Sequence, residues 1–311
     1  MVIKAFRTFS PLLRLLFFIT LFVSMTGISS LISNVLVPLI FGSSAPNIQV
    51  GDLDLIVPVQ VSTLKFIQTS NQLIGFLGAT VLFVLLFGKK SVNGFLTTPS
   101  KLILIAPFIM LISLPMMEQS IALNEALIPA GGWIETNLKP FQELADKLTI
   151  IMLTSGENPS LLFNIILFAL VPAICEEFAF RGVIQSQIVK MFGNVHLGIW
   201  VSAIVFSAIH MQFYGFIPRM LLGAVFGYLV IYSGSIWAAV LAHFVNNSLA
   251  VLSVHVYGNL DLPEESLEAS MSNLPMGLLS ATLVMTGLFF LYKKGNWNAI
   301  RSSYMLDEST H

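Results

Sequence analysis

Eight stretches of this chain come near twenty residues with little charge: Leu12–Phe41, Leu64–Phe87, Leu102–Met117, Leu161–Val183, Leu197–Phe213, Phe216–Tyr232, Ile236–Val256 and Pro275–Tyr292. A helix of about 20 mainly apolar residues covers the hydrocarbon layer of a bilayer. Backbone polar groups in that layer must be satisfied within the segment, which a helix does unaided. The pattern predicts an all-α, polytopic transmembrane helical bundle of about eight spans. Composition agrees. Of 311 residues, 56% are hydrophobic and only 10% charged, against roughly 25% charged in soluble proteins. The net charge of −1 gives no basis for nucleic-acid binding, and the single cysteine excludes an internal disulfide or a multi-cysteine metal centre.

Orientation follows from the basic residues, which favour the cytoplasmic side of spans. The first stretch is too long for the core of a cleaved signal peptide, which runs about 7–15 residues, so it reads as a retained span. With eight spans and a cytoplasmic N-terminus, both termini lie inside. Lys4, Arg7, Arg14, Lys89, Lys90, Lys101, Arg181, Lys190, Lys293, Lys294 and Arg301 then fall on the inner side, and Lys65, Lys139, Lys147 and Arg219 on the outer. A bacterial plasma membrane is the expectation from the compact chain.

The chain divides into residues 1–159, an N-terminal transmembrane region of three spans plus an outer segment; 160–256, a core region; and 257–311, the last span and a cytoplasmic tail. Within the outer segment, Trp133–Ile151 mixes apolar residues with Glu135, Lys139, Glu143, Asp146 and Lys147. It reads as one or two amphipathic helices on the membrane surface. Val50–Val61 alternates apolar and polar residues but contains Pro58, and reads as an extended outer loop.

Ionisable groups inside spans cost roughly 2.5–3.5 kcal/mol each on insertion scales and mark functional candidates. Here they concentrate in the second half. The fourth stretch contains Cys175-Glu176-Glu177-Phe-Ala-Phe-Arg181. Glu177 and Arg181 are four apart and share a helix face, so they can pair. Glu176 points about 100° away and is left to face a cavity as a base. These three residues could equally mark the end of a span. The fifth stretch adds Phe206-Ser-Ala-Ile-His210, and the seventh adds His243-Phe-Val-Asn-Asn247, with His243 and Asn247 on one face. Polar groups from three apolar spans suggest one intramembrane site.

The order Glu-Glu-x-x-x-Arg (176–181), Phe-x-x-x-His (206–210), His-x-x-x-Asn (243–247) resembles the CPBP family of intramembrane proteases, also called the CAAX-protease and bacteriocin-processing (Abi) family. It includes the Ras-converting prenyl endopeptidase of eukaryotes. The resemblance covers about a third of the chain, and Tyr232-Ser-Gly-Ser-Ile236 adds to it. It implies that Glu176 and His210 hold and activate a water, that His243 and Asn247 stabilise the oxyanion, and that Glu177 and Arg181 support the site. Each role has a physical warrant: hydrolysis needs a base near the operating pH, and developing oxyanion charge needs preorganised donors in a dry site. A neutral histidine and an asparagine amide would supply N–H donors without a permanent charge.

Two histidines and a glutamate could also hold zinc, with Glu176, His210 and His243 as candidate ligands. Both a metalloprotease and a metal-independent glutamate protease are open, and the reading leans toward no obligatory metal. The expected partners are membrane lipids and a peptide or membrane-anchored protein substrate. Rival readings are a proton-coupled transporter, which buried Glu and His groups also suit, and a non-catalytic membrane scaffold or immunity protein. Cys175 reads as a small buried hydrophobe, Arg219 as an interfacial anchor, and Gly223 and Gly227 as an internal packing face. Asn71 and Gln72 polarise the second span. One geometric strain stands out: His210, late in an outward-running span, would sit nearer the outer face than Glu176.

Overall fold

The computed structural model describes residues 6, 8–42, 58–88, 101–129, 131–155, 160–258 and 273–295. These are helical with no strand among them. In chain order they form α1 (Pro11–Phe41), α2 (Pro58–Phe87), α3 (Lys101–Ile112), α4 (Leu114–Ala126), α5 (Trp133–Thr154), α6 (Leu161–Phe192), α7 (Val195–Ala208), α8 (Phe216–Ser233), α9 (Ile236–Tyr257) and α10 (Leu274–Lys294). Residues 50–57 of the expected Val50–Val61 loop, and residues 296–311 of the expected tail, lie outside the described residues.

Six helices are long and apolar enough to cross a membrane, or up to seven if the bent pair α3–α4 is one span. Their outward faces carry large apolar side chains such as Leu31, Leu39, Phe108 and Leu162. A water-soluble protein rarely exposes contiguous apolar surface on this scale, and a bilayer accommodates it. The chain is an integral membrane protein.

Polar caps place several helix starts. Ser10 accepts from Leu13 N ahead of Pro11, Ser160 from Phe163 N, Asn194 from Leu197 N, and Ser235 from Trp237 N. Each satisfies a backbone donor that has no partner within the helix. The chain reverses between α6 and α7 at Gly193 (φ 63°) and between α8 and α9 at Gly234 (φ 75°). That left-handed conformation is strained for residues bearing a Cβ.

Four expectations change in detail. The third stretch is broken: α3 and α4 meet at a 48° bend, where Pro115 at the start of α4 lacks an N–H for the preceding turn. The fifth is a helix of only 14 residues that ends at Ala208. The fourth continues past Val183 to Phe192, burying Gln185, Ser186 and Gln187. Pro58–Val61 is helical rather than extended, because proline suits the first turn of a helix. The amphipathic segment is one helix, α5.

Two apolar clusters hold the bundle. Ile199 of α7, Phe226 and Leu229 of α8, Ile236 of α9 and Leu288 of α10 form the larger. Phe18 of α1, Phe83 and Phe87 of α2, Phe180 of α6 and Phe206 of α7 form the second, which seats the N-terminal helices against the core region.

Candidate active site

Glu176 and Glu177 sit in a short α-helical stretch of α6 between two π-helical turns, Ile166–Leu170 and Phe178–Ile184. Such wider turns recur at functional sites because they re-aim side chains. Both carboxylates are buried, and Glu177 is wholly inaccessible. Its Oε1 accepts from Arg181 Nη1 at 2.9 Å and lies 2.9 Å from His243 Nδ1. Arg181 Nη2 donates to the Gly223 carbonyl at 2.9 Å. The guanidinium lies 4.8 Å from the Phe206 ring centre and 5.4 Å from that of Phe226, so a charge cut off from water meets a carboxylate, a carbonyl and two π faces.

Glycines of α8 make room for this arrangement. A Cβ on Gly223 would meet Ala203 at 3.1 Å and Arg181 Nη2 at 3.4 Å; one on Gly227 would meet Gln185 Oε1 at 2.7 Å. The glycine pair is an internal packing face, and what it admits is the polar edge of α6.

His243 stacks on Phe226 with ring centres 5.1 Å apart and meets Phe206 edge-on at 5.9 Å. A carboxylate only accepts, so Nδ1 carries the proton. Nε2 then faces Glu176 Oε2 at 4.0 Å. A neutral ring held this way has no second N–H. The donor role expected of a neutral His243 therefore needs the doubly protonated ring, flanked here by two carboxylates.

His210 lies two residues beyond α7. Its Nδ1 donates to the Phe206 carbonyl at 2.7 Å, which leaves Nε2 as the acceptor. Glu176, His243 and Arg219 all act on it electrostatically. α7 ends at Ala208, and His210 follows in the turn, where the Glu176 charge reaches it. Asn247 is one turn from His243, and its Oδ1 accepts from Asn246 Nδ2 at 3.1 Å. No hydrogen bond joins it to the acidic pair among the described residues. Cys175 is buried, with no hydrogen bond to the network among the described residues.

Two groups that the sequence marked only as polar residues of apolar spans enter the network. Gln72, on a π-helical turn of α2 (Asn71–Gly78), donates through Nε2 to Glu176 Oε1 at 2.8 Å. An isolated amide pair in an apolar span was the available signal. Arg219, expected as an interfacial anchor, is tied to the turn that follows α7. Its Nη2 donates to Gln212 Oε1 at 2.7 Å, and Gln212 Nε2 donates to Asp146 Oδ1 of α5 at 3.0 Å. A further contact ties α5 to the same turn, from Tyr214 N to Gln142 Oε1.

A zinc centre of Glu176, His210 and His243 is not supported. No three His, Cys, Asp or Glu side chains converge as a ligand set among the described residues. Gln72 holds one oxygen of Glu176, and Glu177 holds one nitrogen of His243.

These elements define a membrane protein with a buried acid–histidine–arginine site enclosed by apolar helices. Residues 158–249 match the family of type II CAAX prenyl endopeptidase Rce1-like proteins, so the resemblance carried by the three motifs is borne out over the segment that contains them. The chain is also 24% identical over 120 residues to the uncharacterized protein YpbD of Bacillus subtilis (strain 168). That similarity spans 37% of this chain and 59% of the relative. No solved structure matches the chain.

Proposed function

We propose that the protein is an intramembrane endopeptidase that hydrolyses a peptide bond with an activated water. The observation that carries this reading is the convergence on Glu176 of groups from three helices: its own α6, Gln72 of α2 and His243 of α9. Glu176 takes a proton from water with His210 Nε2 as the second acceptor, and the oxygen adds to the scissile carbonyl. His243 and Asn247 donate to the resulting oxyanion. The carbon–nitrogen bond then breaks as the proton passes to the departing amine. Glu177 and Arg181 fix the orientation of His243. No covalent enzyme intermediate is needed. The substrate is a peptide or membrane-anchored protein, and both chain termini face the cytoplasm of a bacterium.

Cleavage of a membrane-peptide library by purified wild type and Glu176→Gln, with and without chelator, tests this. Wild type should cut, the variant should not while melting as wild type does, and chelator should leave cleavage intact. A folded wild type that cuts nothing overturns the reading.

A further inference from the structure

The family match begins at residue 158, yet a residue far upstream touches the candidate base. Gln72 is only 6% exposed. Its Nε2 lies 2.8 Å from Glu176 Oε1. That contact sets the amide's orientation, because the reversed amide would put its oxygen against a carboxylate oxygen. Gln72 Oε1 is then buried, and it has no hydrogen-bond partner. Buried acceptors are rarely left unpaired, and each such case calls for a physical account. In an amide the two terminal atoms are bonded to one carbon. Any donor that reaches Oε1 therefore sits beside Glu176.

The helix carrying Gln72 is held closely. Gly75 lies against α1, where a Cβ would come 2.9 Å from Thr26 Oγ1; at Gly78 it would come 3.1 Å from Met25 Cε. Gln72 thus faces α6 from a fixed backbone, on a π-helical turn opposite another π-helical region.

We propose that Gln72 completes the site from the N-terminal half: Nε2 positions Glu176, and Oε1 accepts a main-chain N–H of an extended peptide substrate. The ligand class follows from the acceptor. A peptide presents one N–H per residue at regular spacing, and one of them beside the scissile bond would be read here. The inference rests on the peptidase reading.

The test is a set of peptide substrates, N-methylated at one flanking position at a time, assayed with wild type, Gln72→Met and Gln72→Glu. Methionine matches the shape and removes both polar atoms. Glutamate keeps the acceptor but loses the Nε2 donor and sets a carboxylate against Glu176, so it too should lower kcat. In wild type, N-methylation at one position should raise KM about tenfold. That penalty should vanish in Gln72→Met and persist in Gln72→Glu. Loss of Nε2 should also lower kcat of Gln72→Met by about tenfold or more, since small misplacement of a catalytic group is costly. Melting of each variant is followed in parallel. An N-methyl pattern identical in all three enzymes overturns the proposal while leaving the peptidase reading intact. So does loss of the folded state in both variants, which would make Gln72 structural. A wild type without cleavage overturns the peptidase reading itself, and this proposal with it.

Discussion

His243 Nδ1 lies 2.9 Å from Glu177 Oε1, the same oxygen that accepts from Arg181 Nη1 at 2.9 Å. One carboxylate oxygen thereby ties α9 to α6 and sets which ring nitrogen of His243 faces Glu176. Adjacent glutamates thus have divided tasks: Glu177 is spent on geometry, and Glu176 has one oxygen held by Gln72 and the other 4.0 Å from His243 Nε2.

Arg181 is the group whose loss should cost most in folding. It is fully buried and serves Glu177, the Gly223 carbonyl and two aromatic faces. Arg181→Ala leaves a buried carboxylate without its cation, an error worth about 3–5 kcal/mol. Thermal unfolding in detergent should show a large drop in the folded population. Arg181→Lys should recover only part of it, since an ammonium cannot reproduce the planar fork. Unchanged melting of Arg181→Ala would reject the ion pair as a folding element.

Gly223 and Gly227 should resist even a methyl group. At Gly223 the added carbon meets Ala203 Cα and Cβ, both at 3.1 Å, so neither partner can swing aside. Overpacking of this kind costs about 1–3 kcal/mol. Gly223→Ala should lower the melting temperature and also reduce cleavage, because it pushes the carbonyl that holds Arg181. Gly27→Ala is the control: nothing lies within 4 Å of its added carbon, and it should melt as wild type does.

Asn124 ties α4 to the segment between α7 and α8. Its amide donates to the carbonyls of Phe213 and Tyr214 at 2.8 and 2.9 Å, and its Oδ1 accepts from Ile217 N at 2.8 Å. Asn124→Leu takes a hydrogen-bond partner from the Tyr214 carbonyl and from Ile217 N, at about 1–3 kcal/mol each, while the Phe213 carbonyl keeps the Phe216 N–H. We expect poor accumulation of folded protein. Asp146→Ala with Gln142→Ala should act more gently, loosening α5 alone. Limited trypsin digestion should then cut faster after Lys147, read by mass spectrometry; an equal rate would show that these two contacts do not hold α5.

The sole cysteine makes topology directly measurable. In a Cys175→Ala background, single cysteines at Lys190 and Lys293 should react with an impermeant reagent from one side of sealed vesicles, and a cysteine at Lys139 from the other. Labelling of Lys190 and Lys139 positions from the same side would overturn the eight-pass arrangement.

The sequence by itself determined the membrane class, the helical content and which polar residues deserved suspicion. The reason is energetic. In an apolar span a charge is expensive, so its presence stands out without coordinates, and the i, i+4 spacing of Glu177 and Arg181 is set by the helical repeat. Tertiary structure decided the rest. The bend at Pro115, the end of α7 at Ala208 and the burial of Gln185 beyond Val183 depend on what neighbouring helices cover. So does the recruitment of Gln72, 104 positions away from Glu176 in sequence. A hydrogen bond between distant helices leaves no periodicity along the chain, because it is set by packing and not by the repeat of either helix.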